Sequence, residues 1–263
     1  MNQKEQTLKE FERLLEIMDT LREKCPWDRK QTFASLRHLT IEEVYELSDS
    51  IASNDLVEVK KELGDILLHI VFYAKIASES DAFDMYDVLH GICGKLIHRH
   101  PHIYGDVKVA NEEDVKQNWE KLKLKEGSKS VLGGVPVSLP SLIKSMRIQE
   151  KAAAVGFDWE HREQVWSKVE EEMQELSQVV QDSGVLDRNR AEDEFGDLMF
   201  ALVNYARFLK ISPEDALERT NRKFMSRFTY IESKARQRGV EMDTLTLEQM
   251  DDLWNEAKRL EAK

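Results

Sequence analysis

The amino-acid sequence predicts an all-α protein, and three observations carry that prediction. Apolar residues recur at spacings of three and four: Phe11, Leu14, Leu15, Met18 and Leu21, then Ile66, Ile70, Tyr73 and Ala77, then Leu198, Leu202, Tyr205 and Leu209. Alternating β-branched runs, the mark of half-buried strands, are scarce. Only five prolines interrupt 263 residues.

Along the chain, the first helical stretch is charged from Lys4 onward and has no uninterrupted apolar run, so it does not read as a signal peptide. The most apolar segment, Ile66 to Ala77, is broken by His69 and Lys75 and is too short to span a bilayer. Pro101 ends a helix inside the His98 to His102 cluster, and histidines two apart are poor helical neighbours, so a structural role is expected there rather than a zinc site. The two cysteines, Cys25 and Cys93, form no CxxC pair, which fits a cytoplasmic protein, and Cys93 is expected to be buried. Gly127 to Pro140 holds three glycines and two prolines and breaks any helix. It is expected to link an N-terminal domain, 1–126, to a C-terminal one, 141–263. In the second half, Met and Phe along 195–228 fall at helical spacing and are expected in the core, while Arg236 and Arg238 mark a solvated helix end.

The two halves resemble one another. IEEVYEL at 41–47 parallels EEEMQEL at 170–176, and KKELGDILLHIVFYAKI at 60–76 parallels EDEFGDLMFALVNYARF at 192–208. Pro26-Trp27-Asp28 precedes the first repeat, and Gly156-Phe157-Asp158-Trp159 the second. A period this long indicates duplicated domains rather than a solenoid.

The duplicated positions include acids. The first half carries Glu42-Glu43-x-x-Glu46 and Glu62-x-x-Asp65; the second carries Glu171-Glu172-x-x-Glu175 and Glu194-x-x-Asp197. Residues three or four apart share a helical face. Asn54-Asp55 and Asp182-Ser183-Gly184 read as turns between the paired motifs. Two antiparallel helices joined there would gather four carboxylates, which repel unless a counter-charge is present. A divalent cation supplies it, and all-oxygen ligation suits Mg²⁺, Mn²⁺ or Ca²⁺. Mg²⁺ is expected, with Mn²⁺ as a substitute. Di-iron bundles use Glu-x-x-His pairs, and the sequence has none. Both Glu-x-x-Asp pairs run straight into apolar sequence, where a merely solvated acidic face would continue polar.

A basic pair spaced i, i+4 follows in each half, Lys95 with Arg99 and Lys223 with Arg227, and Asn221 adds an amide nearby. No glycine-rich phosphate cradle is present in the sequence, so phosphate would have to be held through metal, Lys and Arg. The formal charge, 38 basic minus 50 acidic residues or −12, disfavours nucleic-acid polymers as partners but not a metal-bound nucleotide.

This duplicated acid pattern resembles the MazG family of nucleoside triphosphate pyrophosphohydrolases. So do Trp27-Asp28, Glu62-Leu63-Gly64-Asp65, His98 to His102, Val155 to Trp159, Asn221 to Phe224 and Met250 to Trp254, which together cover almost the whole chain. The resemblance implies two tandem all-α domains and a homodimer. It implies Mg²⁺-dependent cleavage of a nucleoside triphosphate to the monophosphate and pyrophosphate. It places the second-half metal ligands at Glu172, Glu175, Glu194 and Asp197, with Glu171 as a further ligand or base and Glu172 or Glu175 as alternative bases. Lys168, Asn221, Lys223 and Arg227 would hold the substrate and Trp254 would line the nucleotide pocket. The first-half counterparts are Glu43, Glu46, Glu62 and Asp65 with Lys95 and Arg99; no tryptophan but Trp119 follows at a comparable distance. Two other readings stay open: a relative selective for dUTP or another modified nucleotide, and a non-catalytic helical protein whose acidic face meets a basic partner.

Overall fold

Capping residues set the helix starts. Asn2 and Glu5 form a reciprocal capping box before α1 (Gln3–Lys24), and Thr32 with Ser35 does the same for α2 (Phe33–Ala52). Asp55 caps α3 (Leu56–Ser78) by accepting from the Val57 and Glu58 amides. Its predecessor Asn54 takes the left-handed conformation, φ 57°, so the predicted Asn54-Asp55 turn is where the sequence puts it. Asp84 caps α4 (Met85–Arg99), and Pro101 opens the four-residue α5 (Pro101–Tyr104). Beyond them come α6 (Ser141–Ala153), α7 (Arg162–Gln181), α8 (Arg188–Phe208), α9 (Pro213–Arg238) and α10 (Leu247–Glu261). Gly239 ends α9 at φ 65°, a left-handed conformation that glycine adopts without strain. No strand occurs among the described residues, and the all-α prediction holds.

This computed structural model describes residues 2–111, 114–115, 118–119, 122, 130–181 and 186–261. The turn expected at Asp182-Ser183-Gly184 and the domain boundary expected after residue 126 lie outside them. The chain divides into two compact units, Met1–Ala110 and Asn111–Lys263. No helix among the described residues is long and apolar enough to cross a membrane.

In the first unit α2 and α3 pack as an antiparallel pair and α1 lies against α3. Met18, Leu36, Val71 and Phe72 form the core between them. Arg22 clamps the edge: its guanidinium pairs twice with Glu79, at 2.7 and 2.5 Å, donates to the Asp28 carbonyl and lies 5.6 Å from the Phe72 ring centroid. The Trp27-Asp28 motif is thus fixed through its backbone. In the second unit α7 and α8 form the matching pair, with α6 against α8 and α10 against α9. There Asp158 occupies the corresponding place and pairs by its side chain with Arg207, 2.9 Å from Oδ2 to Nη1.

Two burial expectations fail. Cys93 is exposed, because α4 has no buried residue at all. Phe195, Phe200, Phe224, Met225 and Phe228 are exposed as well. Periodicity shows that a helix has an apolar face; it does not show that the same chain covers that face. Within the histidine cluster, His100 Nδ1 meets the Leu96 carbonyl at 2.7 Å at the end of α4.

Candidate functional site

Each helical pair brings its acids together as its spacing dictates. On α2 and α3 one carboxylate oxygen from each of Glu43, Glu62 and Asp65 lies within 4.8 Å of the others. On α7 and α8 Glu172, Glu194 and Asp197 do the same. Antiparallel packing puts the Glu-x-x-Asp face of one helix opposite the glutamates of the other, so residues far apart in sequence converge. Glu46 and Glu175, the fourth predicted members, stand outside these three-oxygen groups but reach them electrostatically. Burial pushes the Glu43 carboxyl above its ordinary value, with Asp65, Glu46 and Glu62 adding to the rise. Glu175 is raised by lost hydration first, then by Glu172 and Glu194.

Glu62 is 2 % exposed, and its Oε2 is buried without a hydrogen-bond partner. Its Oε1 receives Lys61 Nζ at 3.2 Å. In the second unit Glu172, 6 % exposed, takes Lys168 Nζ at 2.6 Å, and Lys168 also donates to Glu171 at 2.9 Å. An orphaned buried carboxylate oxygen beside two further carboxylates fits a hard cation with oxygen ligands. The donor set holds no nitrogen or sulfur in either group, so a magnesium-class ion suits it better than zinc.

The remaining predicted residues lie elsewhere on the fold. Lys95 and Arg99 sit on α4. Asn221, Lys223 and Arg227 sit on α9, whose main neighbours are α10 and α6 rather than the acid-bearing pair. Arg227 pairs with Glu261 at 2.7 Å and lies over the Trp254 ring, 5.3 Å from its centroid; Phe224 meets the same ring at 5.1 Å. Arg227 and Trp254 therefore do share a surface, as their assignment to one pocket requires. Trp119 is helical.

Sequence reasoning missed a polar tie under the first site. Thr40 Oγ1 meets His69 Nδ1 and the Tyr73 hydroxyl, each at 2.7 Å. Thr40 precedes Glu43 by one turn and His69 follows Asp65 by one, so the tie locks the two acid-bearing helices together; that spacing was available in the sequence. Burial holds the His69 imidazole below its ordinary value, which favours the neutral ring. The second unit has Val169 and Ala201 at the corresponding positions, both buried, and packs Trp166 on Tyr205 instead, 5.0 Å between centroids.

The raised Glu43 and Glu175 carboxyls set a pH dependence. A carboxyl raised in the folded state favours folding below its unfolded value, near 4.5, and that contribution is lost as pH rises through the raised value. A divalent cation must displace the same protons. Calorimetric titration is therefore expected to show divalent-cation affinity, and the accompanying rise in Tm, falling as pH drops from about 7 to about 5. A Tm shift independent of pH would refute this.

Residues 31–104 and 161–231 each match the MazG nucleotide pyrophosphohydrolase domain, one match on each acid-bearing pair. The chain is 41% identical over 261 residues to the nucleoside triphosphate pyrophosphohydrolase of Escherichia coli K12, covering 97% of this chain and 99% of that protein. It is 43% identical over 253 residues to the nucleoside triphosphate pyrophosphohydrolase/pyrophosphatase MazG of Thermotoga maritima, covering 94% and 95% respectively.

Proposed function

This chain belongs to the MazG nucleotide pyrophosphohydrolase family, and from that premise we propose that it hydrolyses nucleoside triphosphates to the monophosphate and pyrophosphate with Mg²⁺ as cofactor. The observation that carries the proposal is the convergence, in each matched domain, of three carboxylates, one of them almost wholly buried. Such a group is unfavourable in the folded chain without a cation and useful with one.

Glu172, Glu194 and Asp197, with Glu175 beside them, would hold the cation in the second repeat; Glu43, Glu62, Asp65 and Glu46 would do so in the first. Bound there, Mg²⁺ supplies charge neutralisation on the phosphates and a lowered pKa for a ligated water. Glu171 is exposed and within reach of Lys168, and it is the first choice to accept the proton from the attacking water; Glu172 and Glu175 are the alternatives. Lys168, Lys223 and Arg227 would offset charge on the departing pyrophosphate, with Lys95 and Arg99 as the first-repeat counterparts. The Trp254 ring offers a stacking surface to the base, and Asn221 an amide. Arg227 must exchange Glu261 for phosphate, or use the N–H groups that Glu261 leaves open. Arg227→Ala is expected to raise KM about tenfold; an unchanged KM would remove Arg227 from the substrate site.

The function is tested by pyrophosphate release from mixed NTPs with and without Mg²⁺, using the full chain. Release that requires the metal is expected. No release with Mg²⁺ present would overturn the proposal in favour of a binding protein. Running dUTP beside the ordinary NTPs and dNTPs reads selectivity.

A homodimer accounts for the exposed apolar helices. On α4 Tyr86 is 68% and Ile97 53% exposed, a surface that a single chain leaves in water. Light scattering on the purified protein is expected to give 2 × 30.6 = 61.2 kDa; a mass of 30.6 kDa would rule the dimer out.

A further inference from the structure

The two repeats solve one electrostatic problem with different residues. In the second, the buried Glu172 is met at 2.6 Å by Lys168, one turn earlier on its own helix, α7. In the first, the residue one turn before Glu43 is Leu39, so that lysine is missing. The buried carboxylate there is Glu62, on the opposite helix α3, and it is met at 3.2 Å by Lys61. The second repeat has Asp193 at the position of Lys61. Neither lysine is shared between the repeats, yet each ends on the most buried carboxylate of its site. Each amine also holds a second, more exposed glutamate: Glu171 at 2.9 Å for Lys168, Glu58 at 3.1 Å for Lys61. The lysines sit partly in solvent, so each can withdraw to that outer glutamate without unfolding its helix.

We propose that Lys168 and Lys61 are resident counter-cations that neutralise the buried glutamates of the two acid sites before a divalent cation arrives and are displaced when it binds. The proposal rests on the metal-site reading above and goes beyond it. The metal affinity of the nucleotide-free protein is then set by competition with a tethered amine. At the second site the amine released by metal is one that can turn to the incoming phosphates, so metal arrival prepares substrate capture. The first site releases its amine toward Glu58 at the start of α3 instead.

The test is Mn²⁺ binding by isothermal titration without nucleotide, on full-length protein with one site silenced at a time. Glu62→Gln with Asp65→Asn isolates the second site, and Glu194→Gln with Asp197→Asn isolates the first. In those backgrounds Lys168→Met and Lys61→Met are each expected to tighten Mn²⁺ binding about fivefold or more. Leu39→Lys, which places the second repeat's lysine in the first, is expected to weaken it. Lys60→Met removes the same charge one residue from Lys61 and is expected to change the affinity much less. Unchanged or weaker Mn²⁺ binding in Lys168→Met and Lys61→Met overturns the inference, and so does equal tightening in Lys60→Met, which would reduce the effect to overall charge. If the chain with both sites intact takes up no Mn²⁺, the metal-site reading itself fails. Helical circular dichroism is checked for each variant, with Lys168→Gln and Lys61→Gln replacing any methionine variant that loses it.

Discussion

Replacing Asp197 or Glu194 by alanine is expected to cut the proposed Mg²⁺-dependent pyrophosphate release about 10²–10³-fold. Both residues come from α8 and meet Glu172 of α7 within 4.8 Å, so either substitution removes a third of a three-carboxylate group. Neither is a core residue: Asp197 is exposed and Glu194 half-buried. The loss should therefore come without a comparable loss of stability, since truncating exposed side chains changes folding energy little. Asp197→Asn separates charge from shape, because it keeps the side chain's size and an oxygen while removing the negative charge. If the carboxylates act by holding a cation, the asparagine variant falls nearly as far as alanine, and raising the Mg²⁺ concentration restores part of its rate. Full activity in Asp197→Ala or Glu194→Ala would sink the assignment. Asp65→Ala in the first repeat, assayed beside them, shows how the activity divides between the repeats.

Much of this was legible in the sequence, and what was not has physical reasons. The helical pairs and the convergence of Glu43 with Glu62 and Asp65 follow from spacing, because an acid at i and another at i+3 must share a face. The Asn54-Asp55 turn then fixes the antiparallel return. Lys168 was within reach of the same rule, three and four residues before Glu171 and Glu172. The Lys61–Glu62 contact was not, because adjacent residues on a helix do not face one another; the amine reaches Glu62 while also pairing with Glu58 one turn earlier. The Arg227–Glu261 pair joins residues on two helices and leaves no local pattern. The exposed phenylalanines mark a different limit. Helical period separates an apolar face from a polar one, yet Phe195 and Phe224 show that the face can lie open on a single chain.

Removing the buried carboxylate of the first site is expected to stabilise the metal-free protein while destroying that site. Glu62 is 2 % exposed, has one oxygen without a partner, and shares its surroundings with Glu43 and Asp65. Lys61 compensates the other oxygen from solvent. An unsatisfied buried polar atom costs about 1–3 kcal/mol, and more where charge is involved. Glu62→Leu removes that penalty and the repulsion on Glu43, so chemical denaturation without metal should show it more stable than wild type by about 1–3 kcal/mol. Divalent cations should then fail to raise the stability of the first repeat. Site residues kept for function commonly oppose folding in this way. A carboxylate kept for structure would behave in the opposite sense: breaking a buried pair by removing one partner costs about 3–5 kcal/mol. A destabilised Glu62→Leu would therefore make the Lys61–Glu62 pair a structural strut. A stabilised variant that no longer responds to metal leaves only a ligand as the reason for the buried charge.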